Sequence, residues 1–380
     1  MIYIENANIV LENGILKNGA LLAENGIIKK IGKTGTFEIP RNAEKIDAEG
    51  LYLGPGFVDI HVHGGGGYNF FDNPEKAAQH FLKHGETTVL AASYTTYTKA
   101  EYLIAIEKIK KAIKSNSKNI AGFYMEGPYL NLKYGAEPKM NKWLGEIRRE
   151  DYAEIVDNAG DLAKVWAVAP ERDGIEEFIK YVKSVNQNAV FAVAHSEATP
   201  EEIDKIKSYG IKIQTHCMNA TGRVGESKGI RGVGPDEYCL MNDDMYAEII
   251  CDSLAIHLSA YLQKLIIKIK GIDKIILITD SFATESEASE KYAKAKDLSF
   301  DSEGNLSGSR LTMDIVCHNF VRHTNCSICE AFFAAAANPA KAIGIYDEIG
   351  SIEVGKKANL VLLDDEFNVK KVIFEGEIIN

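Results

Sequence analysis

Six side chains in this sequence have the types and placement to do chemistry together: His61, His63, Glu126, His195, His216 and Asp280. Each stands at the end of a short apolar run. His61 and His63 are two apart in Phe57-Val-Asp-Ile-His-Val-His63, so on a strand both rings point to one face. Gly64 to Gly67 then end the strand and let a ligand come close. A lone buried histidine is usually a hydrogen-bonded core residue, so this pair by itself is half a metal site. Imidazoles and carboxylates at the ends of five separate apolar runs exceed what a core needs, and they predict a metal centre. A set mostly of imidazole with one or two carboxylates suits Zn²⁺ or Fe²⁺, one or two ions per chain. Mg²⁺ and Ca²⁺ prefer oxygen-rich sites. An ion with an open position lowers the pKa of water to about 7 and polarises a carbonyl, which favours hydrolysis of an amide, ester or C–N bond. Asp280 closes Ile275-Ile-Leu-Ile-Thr-Asp280, a run with no other charge. It reads either as a carboxylate bonded to backbone amides or as the group that takes the nucleophile's proton and hands it to the departing amine, and the second reading is preferred.

The elements that must carry these residues alternate along the middle of the chain. Apolar strands are expected at Phe57 to His63, Thr87 to Ser93, Ile120 to Glu126, Ala163 to Ala169, Ala189 to His195, Ile211 to His216, Ala247 to Cys251 and Lys274 to Asp280. Amphipathic helices are expected between them at Pro74 to His84, Lys99 to Ile113, Gly174 to Val185, Thr199 to Ser208 and Ser259 to Lys270. Thr199-Pro-Glu-Glu is a helix start, with a capping hydroxyl, proline in the first turn and acids at the positive end. Eight such units predict an α/β fold, a parallel (β/α)8 barrel of the TIM type, whose active sites form at the C-terminal ends of the strands. A doubly wound sheet would need a glycine phosphate fingerprint after its first strand, where His61-Val-His63 stands instead. Both chain ends have another character. Residues 1 to about 50 read as hairpins with Asn13-Gly14 and Asn25-Gly26 turns, and Gly350 to Ile379 reads as more strand, so the two ends are expected to pair in one small sheet module. The expected division is residues 1–52 and 346–380 in that module and 53–345 in the barrel. Glu285 to Lys294 reads as a polar surface excursion.

Composition narrows the function classes. With 380 residues, 46% hydrophobic and 26% charged, the chain is an ordinary globular protein. Its formal net charge of −11 disfavours nucleic-acid binding, because most of the surface would repel a polyanion. The start lacks a secretion signal and no apolar run approaches membrane-spanning length, so a cytoplasmic location without membrane association is expected. Six cysteines, all in the second half, then read as reduced thiols. Cys326-Ser-Ile-Cys329 has no second pair and reads as structural.

Three segments read as substrate contacts: Gly135-Ala136-Glu137, His216 to Arg223 with its Asn219-Ala220 turn, and Leu306-Ser307-Gly308-Ser309. Turns with free backbone amides hold hydroxyls or anions, and Arg223 offers a bidentate phosphate contact. Each is also compatible with an ordinary loop. Taken together, Pro55-Gly-Phe-Val-Asp-Ile-His-Val-His-Gly64, Met125-Glu-Gly-Pro-Tyr-Leu-Asn131, His195, Thr215-His-Cys-Met-Asn-Ala220, Leu277-Ile-Thr-Asp280, Gly304-Asn-Leu-Ser-Gly-Ser309 and Asn338-Pro-Ala-Lys-Ala-Ile-Gly344 resemble the N-acetylglucosamine-6-phosphate deacetylases of the amidohydrolase superfamily. The resemblance implies a barrel with a small β-sandwich built from both chain ends. It implies Glu126, His195 and His216 as the main metal ligands, His61 and His63 for a second ion, and Asp280 as general acid/base. It implies substrate contacts at Ala136, Glu137, Asn219, Ala220, Arg223, His257, Ser307, Gly308 and Ser309, and a homodimer in which Arg223 serves the neighbour's site. Glu137, the short loop before Arg223, Cys251-Asp-Ser253 and Ser281 depart from the family pattern, and they bear on the sugar rather than the reaction. The rival readings are a deacetylase of the galactosamine isomer or of an unphosphorylated amide, and an inactive sugar-phosphate sensor.

Overall fold

The structure, a computed structural model, describes residues 1–131, 133–135, 138–283, 292, 294–301 and 303–379. Eight parallel strands stand side by side in chain order: Phe57–Val62, Glu86–Ala92, Ile120–Glu126, Ala163–Val168, Val190–Val193, Ile211–Gln214, Tyr246–Ile250 and Ile275–Ile278. The last strand returns to the first. Asp280 N donates to His61 O and His63 N donates to Ser281 O, each at 3.0 Å, which closes the TIM-type barrel. A doubly wound sheet would instead reverse its strand order, so that alternative is excluded. Every residue of Phe57–Val62, Glu86–Ala92, Val190–Val193 and Ile275–Ile278 is buried, because a barrel strand faces packed side chains within and helices without.

The helices form where capping and apolar spacing agree. In Lys99–Ser115 the Thr98 hydroxyl and Glu101 side chain make a reciprocal capping box, and Tyr102, Ala105, Ile106, Ile109 and Ala112 form its buried stripe. Pro200–Lys207 starts in the same way, with Thr199 capping Glu202 and proline in the first turn. Pro74–Lys83, Ile175–Val185 and Ala260–Lys270 fill the other expected places. Among the described residues no helix is long and apolar enough to cross a membrane.

Both chain ends meet in a second, mixed sheet, the partner of the barrel that the sequence led us to expect. Leu360–Leu363 pairs antiparallel with Tyr52–Pro55 and with Val369–Phe374, while Tyr52–Pro55 lies beside Ile2–Leu11, which leads on to Gly14–Glu24 and Ile27–Lys33. Ile4, Ile9, Leu21, Ile28, Leu53, Leu360, Leu362 and Ile373 form its own apolar cluster. The expected excursion at 285–294 falls mostly outside the described residues. All six cysteines are free.

Candidate metal and substrate site

The six side chains singled out above come together at the C-terminal mouth of the barrel. Glu126 is the last residue of its strand. His195, His216 and Asp280 stand two residues beyond theirs, a difference from the expected strand ends with a physical consequence. All three have left-handed backbone, with φ of 41°, 27° and 47°. Histidine and aspartate tolerate that region better than branched residues, and the turn aims each side chain across the mouth instead of along its strand. Such conformations cost about 1–3 kcal/mol each and persist where the surroundings over-determine them.

Glu126 is the hub. Its Oε1 lies 2.9 Å from His195 Nε2 and 3.5 Å from His216 Nε2, and its Oε2 lies 3.1 Å from His63 Nε2 and 3.6 Å from His61 Nε2. Asp280 Oδ1 stands 3.3 Å from His63 Nε2 and 3.7 Å from His61 Nε2. Two groups result, His61 with His63 and Asp280, and Glu126 with His195 and His216, and within each the donor atoms lie within 4.8 Å of one another. The Nε2 atoms of His61 and His63 are buried and make no hydrogen bond among the described residues. Buried lone-pair donors converging without partners fit one or two divalent cations.

Charge compensates burial here. Burial opposes a proton on His61, but the Glu126, Glu248 and Asp280 carboxylates hold its pKa well above the ordinary value. His63 and His216 are raised likewise against burial, by Asp280 and Glu126. His195 is pushed down, first by burial and then by the neighbouring His216, although Glu126 pulls the other way. The carboxylates mirror this. Burial would raise Glu126 and Asp280, yet the imidazoles hold Glu126 well below and Asp280 below the usual range.

Above the cluster opens a cavity of about 600 Å³. Glu126, His195, His216 and Asp280 lie in its lining, and Asn219, Ala220, Ser307 and Gly308 form part of its wall. The remaining expected contacts stand elsewhere. Ser309 is buried, its hydroxyl donating to Thr279 O at 2.6 Å and its amide to Asp280 O at 2.8 Å, so it braces the strand end. His257 is buried beside Asp252, with Nδ1 3.2 Å from the carboxylate. Arg223 donates from Nε to Glu237 at 2.8 Å and is not in the cavity wall. Among the described residues lining that wall there is no lysine or arginine. Ala136 and Glu137 lie outside the described residues.

Several neighbours escape the sequence reading. Tyr94, Tyr97 and Phe282 give the cavity an aromatic side, and the Phe282 ring stacks on His63 at 4.1 Å. Asp236 accepts from Met218 N at 2.8 Å and Thr221 Oγ1 at 2.5 Å, fixing the turn that carries Asn219 and Ala220. Glu248 reaches His61 from within the barrel. Its signal was present, a lone charge in the apolar run from Ala247 to Cys251.

Residues 52–379 match the amidohydrolase family. The chain is 28% identical to an N-acetylglucosamine-6-phosphate deacetylase of Bacillus subtilis (strain 168), over 99% of this chain and 96% of that protein. It is 26% identical to an N-acetylgalactosamine-6-phosphate deacetylase of Escherichia coli O157:H7, over 97% of each. Among solved structures, the N-acetylglucosamine-6-phosphate deacetylase of Pasteurella multocida superposes with a TM-score of 0.87 at 26% identity, covering 100% of this chain and 99% of that one.

Proposed function

The chain belongs to the amidohydrolase family, and on that premise we propose that it hydrolyses the acetamide of N-acetylglucosamine 6-phosphate to glucosamine 6-phosphate and acetate, in the cytoplasm. The observation that carries this reading is the gathering of Glu126, His195, His216, His61, His63 and Asp280 beneath one cavity. The galactosamine epimer is the second substrate reading, favoured by the Escherichia coli relative.

We assign Glu126, His195 and His216 to one ion, with His61 and His63 available to a second. Zn²⁺ or Fe²⁺ bound there would supply Lewis acidity, activating water near neutral pH and polarising an amide carbonyl. Asp280 handles the proton. Its Oδ1 stands 3.3 Å from His63 Nε2 beneath the cavity, placed to begin as the base and to return the proton to the amine nitrogen as acetate leaves. Asn219, Ala220, Ser307 and Gly308 hold the sugar hydroxyls, and the aromatic side of the cavity covers the apolar face of the ring. Arg223, absent from its own chain's cavity wall, is assigned to the phosphate in a second subunit of a homodimer.

The test is acetate release by protein purified without chelator, with its metal content measured, on both epimers with and without the 6-phosphate. Asp280→Asn is expected to lower kcat by about 10²–10⁴-fold. Turnover near wild type with the ions still bound would remove Asp280 from this role. Arg223→Ala is expected to raise KM for the phosphorylated sugar alone.

A further inference from the structure

The structure assigns Glu248 as the positioning residue for His61, through a carboxylate hydrogen-bonded to the back of the imidazole. The inference rests on the reading of His61 as an ion ligand and deepens it, by naming what sets the hold on the second ion.

Glu248 sits in the middle of the barrel strand Tyr246–Ile250 with no exposure to solvent. Its Oε2 lies 3.4 Å from His61 Nδ1 and 3.3 Å from the Tyr124 hydroxyl, which itself pairs with Thr215 Oγ1 at 2.7 Å. The Tyr124 ring stacks on the His61 imidazole, with centroids 4.2 Å apart and planes 20° from parallel. The imidazole is therefore held on one face by Tyr124 and at its Nδ1 edge by Glu248. With Glu248 Oε2 as the acceptor at that edge, Nδ1 carries the hydrogen and Nε2 is left as the nitrogen to ligate an ion. Nε2 is the atom turned towards Glu126 and Asp280.

The other site imidazoles differ at this position. His216 Nδ1 faces the Asn219 carbonyl at 3.0 Å, and the Nδ1 atoms of His63 and His195 have no partner among the described residues. Glu248 Oε1 also has no partner among the described residues, so burying this carboxylate carries a desolvation cost. A carboxylate behind a ligand imidazole is a recurrent arrangement that fixes the tautomer and raises the ligand's basicity.

The experiment is a Co²⁺ titration of chelator-stripped protein against a competing chromophoric chelator, for wild type and Glu248→Gln. We expect two ions in wild type. In the variant one ion should bind about 10–100-fold more weakly, while the ion at Glu126, His195 and His216 is unchanged and reports an intact fold. Imidazole nitrogen NMR of the zinc-loaded protein should show His61 as the Nδ1–H tautomer in wild type and a mixture in the variant. Equal affinities in both proteins, or equal weakening of both ions, would overturn the assignment. A single ion in wild type with acetate still released would overturn it while leaving the deacetylase reading intact. Two ions with a selective loss in the variant, but no acetate release, would do the reverse.

Discussion

Asp59 shows what the site costs at the level of single residues. It is fully buried one strand position pair below His61, accepts from the Thr279 hydroxyl at 2.5 Å and the His61 amide at 3.1 Å, and burial pushes its pKa up to about 7 despite those bonds. A carboxyl whose folded pKa is raised gives stability that is complete below its unfolded value, near 4, and is lost as pH rises through the folded value. Asp59→Asn removes that loss. The stability of the variant relative to wild type should therefore improve by roughly 2–3 kcal/mol between pH 5 and pH 8. Urea melts at the two pH values measure it, and an unchanged difference would refute the account.

At the scale of elements, the turns decide more than the strands. His216 leads into a segment with Met218 at φ 65° and Ala220 at φ 51°, and Asp236 in the first turn of Pro235–Met241 holds it through Met218 N and Thr221 Oγ1. Gly222 closes the same segment, where a Cβ would come within 1.7 Å of the Tyr134 hydroxyl. Asp236→Ala leaves two half-buried donors without their acceptor, which costs about 1 kcal/mol. Because Asn219 and Ala220 ride on that turn, KM should rise several-fold while the ions stay bound. A loss of stability with KM unchanged would show that the turn does not orient the wall.

For the whole molecule, the cluster of imidazoles and carboxylates and the fold are linked through protons. His61, His63 and His216 have raised pKa values because nearby carboxylates outweigh burial. Their contribution is complete below the unfolded value, about 6.5, and is lost as pH rises through the folded values. Glu126 and Asp280 are depressed, so theirs is present above about 4 and is lost on acidification. His195, pushed down by burial, works against its neighbours. Without ions the protonated imidazoles balance the carboxylates at low pH, and that balance weakens as pH rises through their raised folded values. Thermal melts with and without chelator should therefore show a larger drop in Tm on chelation at pH 8 than at pH 6. Equal drops would mean that protons do not stand in for the ions.

Much of this protein was settled by its sequence. Apolar strands alternating with capped helices specify the barrel, and Asn25-Gly26 with the strands around it specifies part of the sheet at the chain ends, because burial period and turn chemistry are local properties. His61 and His63 reveal themselves by spacing. The tertiary structure decided the rest, because the deciding contacts join residues far apart in the chain. Closure of the barrel between His61 and Asp280 brings Glu126, His195 and His216 onto one point. Pairing of Ser309 with Thr279 keeps its hydroxyl out of the cavity wall, and pairing of Arg223 with Glu237 sets that side chain outside its own chain's wall. Glu248 gains its meaning only when barrel closure brings its strand within one strand of that of His61, since a lone buried acid in a sequence does not say which imidazole it will meet.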